Sequence, residues 1–251
     1  MNVERRTFPI GGLELRADPA GDPSLKHAAG IAARFMSYSE SMWGFKERIA
    51  PAFFEEALKV SDVRALKNHD PNLVLARHTG AASDTLALEE TKEGLAFDAT
   101  MDTRISYVQD LVLAMERKDI TQCSFAFTLP DKGGDRWTKD GDSLVRELVK
   151  AERLFDITIA TFPAYPDTDA SVREMRSLAT DLMHRGEPTE DERGALAAIQ
   201  AEIEKRLTTP TDQKAGAGSK DPEQKLRDTT RLWEIRRTEE MIRYQAGRLG
   251  I

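Results

Sequence analysis

A single cysteine, Cys123, in 251 residues excludes an internal disulfide and suits a reducing compartment. No apolar run approaches the length that crosses a bilayer, so no membrane partner is expected. No apolar segment follows Arg5 and Arg6, so the sequence predicts no secretory signal. Basic residues are outnumbered, and the formal net charge is −7. Binding along a phosphate backbone needs clustered Lys and Arg, so no nucleic-acid partner is expected. Gly11-Gly12-Leu13-Glu14-Leu15-Arg16-Ala17 lacks the spacing of a dinucleotide or phosphate loop. HExxH and CxxC spacings are missing too, and neither a metal nor a cofactor is expected.

What is present is enough apolar material, 40% of residues, for a sizeable core, with 31% charged residues to keep the surface wet. Residues 1–27 read as an edge strand and a polar loop, and His27–Phe35 as a strand of small residues. Glu47–Ala57 reads as an approach segment with a short helix opening near Pro51. Val63–Asn68 reads as a strand ending at His69-Asp70-Pro71. Leu86–Glu90 and Leu95–Met101 alternate around Thr91–Gly94, a hairpin pattern. Val108, Leu111, Val112 and Met115 follow helical spacing and predict a helix over Ser106–Arg117. Ile120–Phe127 reads as a buried strand, Pro130–Asp142 as a mobile loop, and Leu144–Val149 and Leu154–Thr161 as two further strands. The prolines of Phe162–Pro166 end the sheet.

Past Arg173 the aromatics vanish until Trp233. Thr189 and Glu192 fit a capping box opening a helix with Leu196, Ile199, Ile203 and Leu207 on one stripe. The expected organisation is a body over residues 1–176, a helical extension over 177–207, a flexible linker over 208–220 and a helical tail over 221–251. Strands at such regular spacing suggest a sheet closed into a barrel or folded as a sandwich.

Three side chains are the leading candidates for chemistry. Ser124 is a hydroxyl in an apolar, aromatic strand; as a nucleophile it needs a base and a group to orient that base. Otherwise it is a core serine bonded to a carbonyl. His69, at a strand end, is the best base; otherwise it is a turn histidine capped by Asp70. Asp156 is a carboxylate in an apolar strand, costly there unless paired, either with an imidazole or with Arg153 or Lys150. His78 is another candidate for the third group. Cys123 is a rival nucleophile, but strand neighbours face opposite ways, so only one of Cys123 and Ser124 can face a given cleft. A metal site using His69, Asp70 and His78 is the remaining reading.

Five segments occur in order: Glu47–Phe53; Asn68-His69-Asp70 with Leu75-Ala76-Arg77; Gly94-Leu95; Ser124-Phe125-Ala126-Phe127; and Leu154–Thr158 running into Phe162–Pro166. Together, from about Gly30 to Arg173, they resemble the prohead maturation proteases of HK97-like tailed phages. The resemblance implies an α+β fold, a small β-barrel similar to that of the herpesvirus assembly proteases, flanked by helices. It implies a serine endopeptidase with Ser124 as nucleophile, His69 as base and Asp156, where the family usually has glutamate, as third group. The implied substrates are the scaffolding segment of the major capsid protein and the protease itself. The implied place of action is the host cytoplasm, inside the assembling prohead, and self-association is left open. The alternative is an inactive barrel serving as an internal capsid scaffold.

Overall fold

In chain order the elements are β1 (Glu4–Pro9), β2 (Glu14–Ala17), β3 (Leu25–Arg34), β4 (Phe45–Ile49), α1 (Glu55–Val60), β5 (Val63–Lys67), β6 (Asp70–His78), β7 (Leu86–Glu90) and β8 (Gly94–Asp102). There follow α2 (Ser106–Glu116), β9 (Gln122–Thr128), β10 (Asp135–Asp140), β11 (Ser143–Leu148), β12 (Arg153–Ala160), α3 (Asp169–His184) and α4 (Glu190–Thr208). The computed structural model describes residues 3–9, 13–39, 44–141, 143–161 and 169–208. The expected sheet end at Phe162–Pro166 and the expected tail over 221–251 lie outside them, as does the expected linker beyond Thr208. The architecture is mixed α+β and rich in strands.

The chain divides into two compact units, one of Met1–Met42 with Lys46–Asp167, the other of Trp43–Phe45 with Thr168–Ile251. In the second, α3 and α4 pack on each other. Buried Met175, Leu178, Ala179 and Leu182 follow helical spacing on α3, as do Ala195, Leu196, Ile199 and Ile203 on α4. The capping box forms: Thr189 Oγ1 accepts from the Glu192 N–H at 3.2 Å, and Glu192 Oε2 accepts from the Thr189 N–H at 2.7 Å.

Within the first unit the strands form three sheets, ordered β1-β9-β12-β5-β6, β2-β3-β8-β7 and β10-β11-β4. The expected closed barrel is therefore not found: among the described residues no ladder returns on itself. Closure requires a continuous ladder between the last and first strands. Here β3 and β4 meet through one isolated bridge, Phe35 to Ile49. The loop expected over Pro130–Asp142 contains β10, which pairs antiparallel with β11. Its glycines and charges hid buried Asp135 and Trp137, the inward positions of an alternating strand. Strands β4 and β6 also escaped the sequence reading, as did the part of α3 before residue 177. The sequence reading ended a strand at His69-Asp70-Pro71; Pro71 instead stands near the start of β6, where a sheet-edge strand tolerates it.

The five-stranded sheet carries the candidate site. In β9, Cys123, Phe125 and Phe127 belong to the buried core, while Ser124 points to the other face. Phe53 and Phe54, just before α1, meet Phe127 and Phe125 edge to face, both at 5.3 Å between ring centroids. Burying each such ring contributes roughly 2–3 kcal/mol. This packing fixes which way β9 faces, and hence where the Ser124 hydroxyl goes.

Candidate active site

Ser124 lies between two neighbours, opposite Thr7 of β1 and Thr158 of β12. Asp156 reaches the same face through an irregularity. Leu154 pairs with Phe127 and Asp156 with Ala126, so Phe155 is an extra residue in β12. Leu154, Ile157 and Ile159 all face the core. Strict alternation from Leu154 would turn Asp156 inward as well; one inserted residue reverses the parity and aims its carboxylate at the Ser124 side.

His69 arrives from a two-residue hairpin. Lys67 pairs with Asp70, leaving Asn68 and His69 as the loop. Their φ angles, 54° and 56°, are those of a type I′ turn. Asn tolerates this region; His pays more for it, and strain of this kind persists where the surroundings over-determine it. They do so here. Asn68 Nδ2 donates to Thr161 Oγ1 at 3.1 Å, and the Thr161 N–H donates to Asn68 Oδ1 at 2.9 Å.

The three side chains meet. His69 Nε2 is 2.7 Å from Ser124 Oγ, and His69 Nδ1 is 2.7 Å from Asp156 Oδ1. A carboxylate can only accept, so Nδ1 carries the imidazole proton and Nε2 is left as an acceptor facing the hydroxyl. A model of the caudovirus prohead serine proteases matches residues 13–182, more than half of the chain and all three of these positions. The chain belongs to that family. No curated protein and no solved structure matches it.

The protease is thus a serine peptidase by family, and its geometry sorts the other candidates. Asp156 bonds to His69 and Thr158, not to Arg153 or Lys150. Asp70 caps Asn72 rather than His69, accepting from the Asn72 N–H at 2.9 Å. His78 does not join these three side chains: it pairs with Val63 at the far end of β6. Its Nδ1 lies 3.2 Å from the Leu86 carbonyl and 3.6 Å from Asp84. The same separation removes the metal reading that joined His69 and His78. No cluster of three potential metal ligands occurs among the described residues. Cys123 faces the core, and burial pushes its thiol up to about 12, far from the thiolate a nucleophile needs.

A second histidine–carboxylate pair exists, His27 Nδ1 with Asp98 at 2.7 Å, but its Nε2 meets Asp18 at 3.2 Å and no hydroxyl. Two residues of the site were missed by sequence reasoning, Asn68 and Thr158. Asn before His at a strand end is itself a turn signal, and Thr158 lies two positions from Asp156, on the same strand face. Arg6 matters through its backbone: its carbonyl, 3.0 Å from Ser124 Oγ, is a second acceptor competing for the one hydroxyl proton. The nucleophile candidate is 1% exposed, while the His69 side chain is 19% exposed, so the imidazole is the more open part of the site.

Among the described residues, no helix is long and apolar enough to cross a membrane.

Proposed function

We propose that Ser124 is the nucleophile of this protease, His69 its general base and Asp156 the group that orients and stabilises the imidazolium. The supporting observation is the unbroken sequence Asp156–His69–Ser124, with both contacts at 2.7 Å and the imidazole tautomer set by the carboxylate. As Ser124 Oγ bonds to the scissile carbonyl carbon, its proton passes to His69 Nε2. The same proton then goes to the departing amine as the C–N bond breaks, leaving an ester on Ser124. Water, deprotonated by His69, attacks that ester; its proton returns to the serine oxygen and the acid product leaves. Backbone N–H groups stabilise the oxyanion.

The substrate in this reading is the scaffolding segment of the major capsid protein, cut inside the assembling prohead in the host. The family description supports this, since a prohead protease acts during capsid assembly. The protease also cleaves itself in this reading, with Thr208–Lys220, a segment rich in Gly, Thr and Lys, as the target. Kinship with the herpesvirus assembly proteases is part of the same proposal, resting on the resemblance of the Ser124 and His69 segments to the prohead proteases.

The test is co-expression of the major capsid protein with the protease or with its Ser124→Ala variant, followed by intact-mass measurement of both chains. The expected outcome is a shortened capsid protein and a shortened protease with wild type, and full-length chains with Ser124→Ala. Processing by Ser124→Ala at the wild-type rate overturns the assignment.

A further inference from the structure

We infer that Thr158 is a positioning residue of the protease, holding Asp156 and through it the proton on His69 Nδ1. This rests on the roles proposed above for Ser124, His69 and Asp156. Thr158 is fully buried, opposite Ser124 across the β9–β12 ladder. A buried hydroxyl must spend its proton on an acceptor. Here it goes to Asp156 Oδ1, at 2.8 Å. That is the same oxygen that accepts from His69 Nδ1, so one carboxylate oxygen is fixed by two donors from different directions. The Thr158 oxygen is also 3.2 Å from His69 Nδ1, offering a lone pair to the same N–H.

The arrangement answers a mechanical need. A carboxylate on a short side chain can swivel about its last torsion, and a swivel breaks the aim of the imidazole. Threonine is stiff at χ1, so the direction of its O–H is set by the backbone of β12. Asp156 and Thr158 share that strand, two positions apart, and the hydroxyl ties the carboxylate to a frame already packed against the core. Nδ1 then keeps its proton, and Nε2 stays open toward Ser124. Apart from a structural contribution, Thr158 therefore governs the rate of proton removal from Ser124 and leaves substrate binding untouched.

Phosphonylation of Ser124 by a fluorophosphonate tests this, because Oγ–P bond formation with loss of fluoride needs the same proton transfer to His69. Thr158→Val keeps the shape and removes the hydroxyl; Thr158→Ser keeps the hydroxyl. The expected result is a roughly tenfold lower maximal inactivation rate in Thr158→Val, as for loss of one hydrogen bond to a charged group. The probe's half-saturation concentration stays unchanged, and Thr158→Ser restores the rate. Thr158→Ala serves in place of the valine if thermal unfolding shows that the latter is not folded. A second readout needs no turnover: the downfield proton resonance of His69 Nδ1–H, assigned by its loss in His69→Ala. It shifts in Thr158→Val and is retained in Thr158→Ser, in the Ser124→Ala chain as in wild type. A wild-type rate in Thr158→Val, a serine variant as slow as the valine one, or an unmoved resonance overturns the inference. Failure of the wild-type protease to react at Ser124 instead overturns the nucleophile assignment, and the resonance still decides the role of Thr158.

Discussion

Ser124 has one proton and two acceptors within reach, His69 Nε2 at 2.7 Å and the Arg6 carbonyl at 3.0 Å. In the proposed mechanism only donation to Nε2 leads toward reaction, so the orientation of His69 sets how often the hydroxyl is poised. That orientation depends on Asp156. Asp156→Asn presents an amide in place of an acceptor-only group and permits the wrong imidazole tautomer. Its expected effect is a fall in kcat of about a thousandfold or more, with the fold kept, measured by peptide cleavage beside thermal unfolding. Cys123 makes the opposite prediction. With its thiol buried and held near 12, Cys123→Ala keeps cleavage activity, and wild type resists thiol alkylation near pH 8 until it is unfolded. Loss of activity in Cys123→Ala without loss of stability would contradict the assignment of Ser124.

Two backbone irregularities turn ordinary strands into a site. The Asn68-His69 hairpin brings the imidazole over the end of β12, where the Asn68 N–H also donates to the Ile159 carbonyl at 3.2 Å. The extra residue Phe155 turns Asp156 from the core side to the Ser124 side. This gives a paired prediction. Phe155→Ser keeps the residue count of β12 and retains cleavage. Deleting Phe155 joins Leu154 directly to Asp156; plain alternation then sets the two on opposite faces, so the carboxylate stays on the Ser124 side and fluorophosphonate labelling is retained. Loss of labelling in a folded deletion variant would show that the register of Asp156 opposite Ala126 is not what aims the carboxylate. A different constraint applies at Gly94, where β8 begins opposite Arg34: a Cβ there would lie 1.9 Å from the Ala33 carbonyl oxygen. Gly94→Ala must push β3 and β8 apart, and the expected cost is about 2–3 kcal/mol in denaturant unfolding.

The protease joins its site-bearing sheet to the β10-β11-β4 sheet through a buried ionic cluster. Arg146, fully buried on β11, donates to Glu4 of β1 at 2.7 and 2.9 Å, to Glu47 of β4 at 3.0 Å and to Asp135 of β10 at 2.7 Å. Arg6 of β1 completes it, bonded to Glu4 at 2.6 Å and to both oxygens of Glu47. Arg6 is also the residue whose carbonyl meets Ser124. Burial pushes the Glu4 carboxyl up, but Arg146 and Arg6 outweigh it and hold it at about 2. The folded value lies below the unfolded one, so the stability this group contributes is complete above the ordinary carboxylate value of 4.5 and is lost as pH falls toward about 2. Glu4→Gln leaves Arg146 and Arg6 short of a counter-charge. Its expected cost is about 3 kcal/mol near pH 7, with a flatter loss of stability between pH 4.5 and 2 than wild type. Equal acid unfolding curves for the two proteins would show that Glu4 does not carry this dependence.

The sequence by itself determined the local elements and the chemistry on offer. The β7–β8 alternation, the helical spacing of α2, the capping box at Thr189 and the alternating face of β9 each rest on residues near one another along the chain, where periodicity and capping act directly. It also presented a scarce histidine, a hydroxyl in an apolar strand and a carboxylate in another. Only the tertiary structure decided which of those groups meet. His69 and Ser124 are 55 positions apart, His69 and Asp156 87, and their meeting depends on strand order, a left-handed turn and one extra residue in β12. The ionic cluster was hidden for the same reason: Glu4, Glu47, Asp135 and Arg146 lie far apart along the chain until four strands bring them together out of water. Strand order answers to the whole core at once, through which apolar faces can be buried against which, and no short stretch of sequence contains that sum.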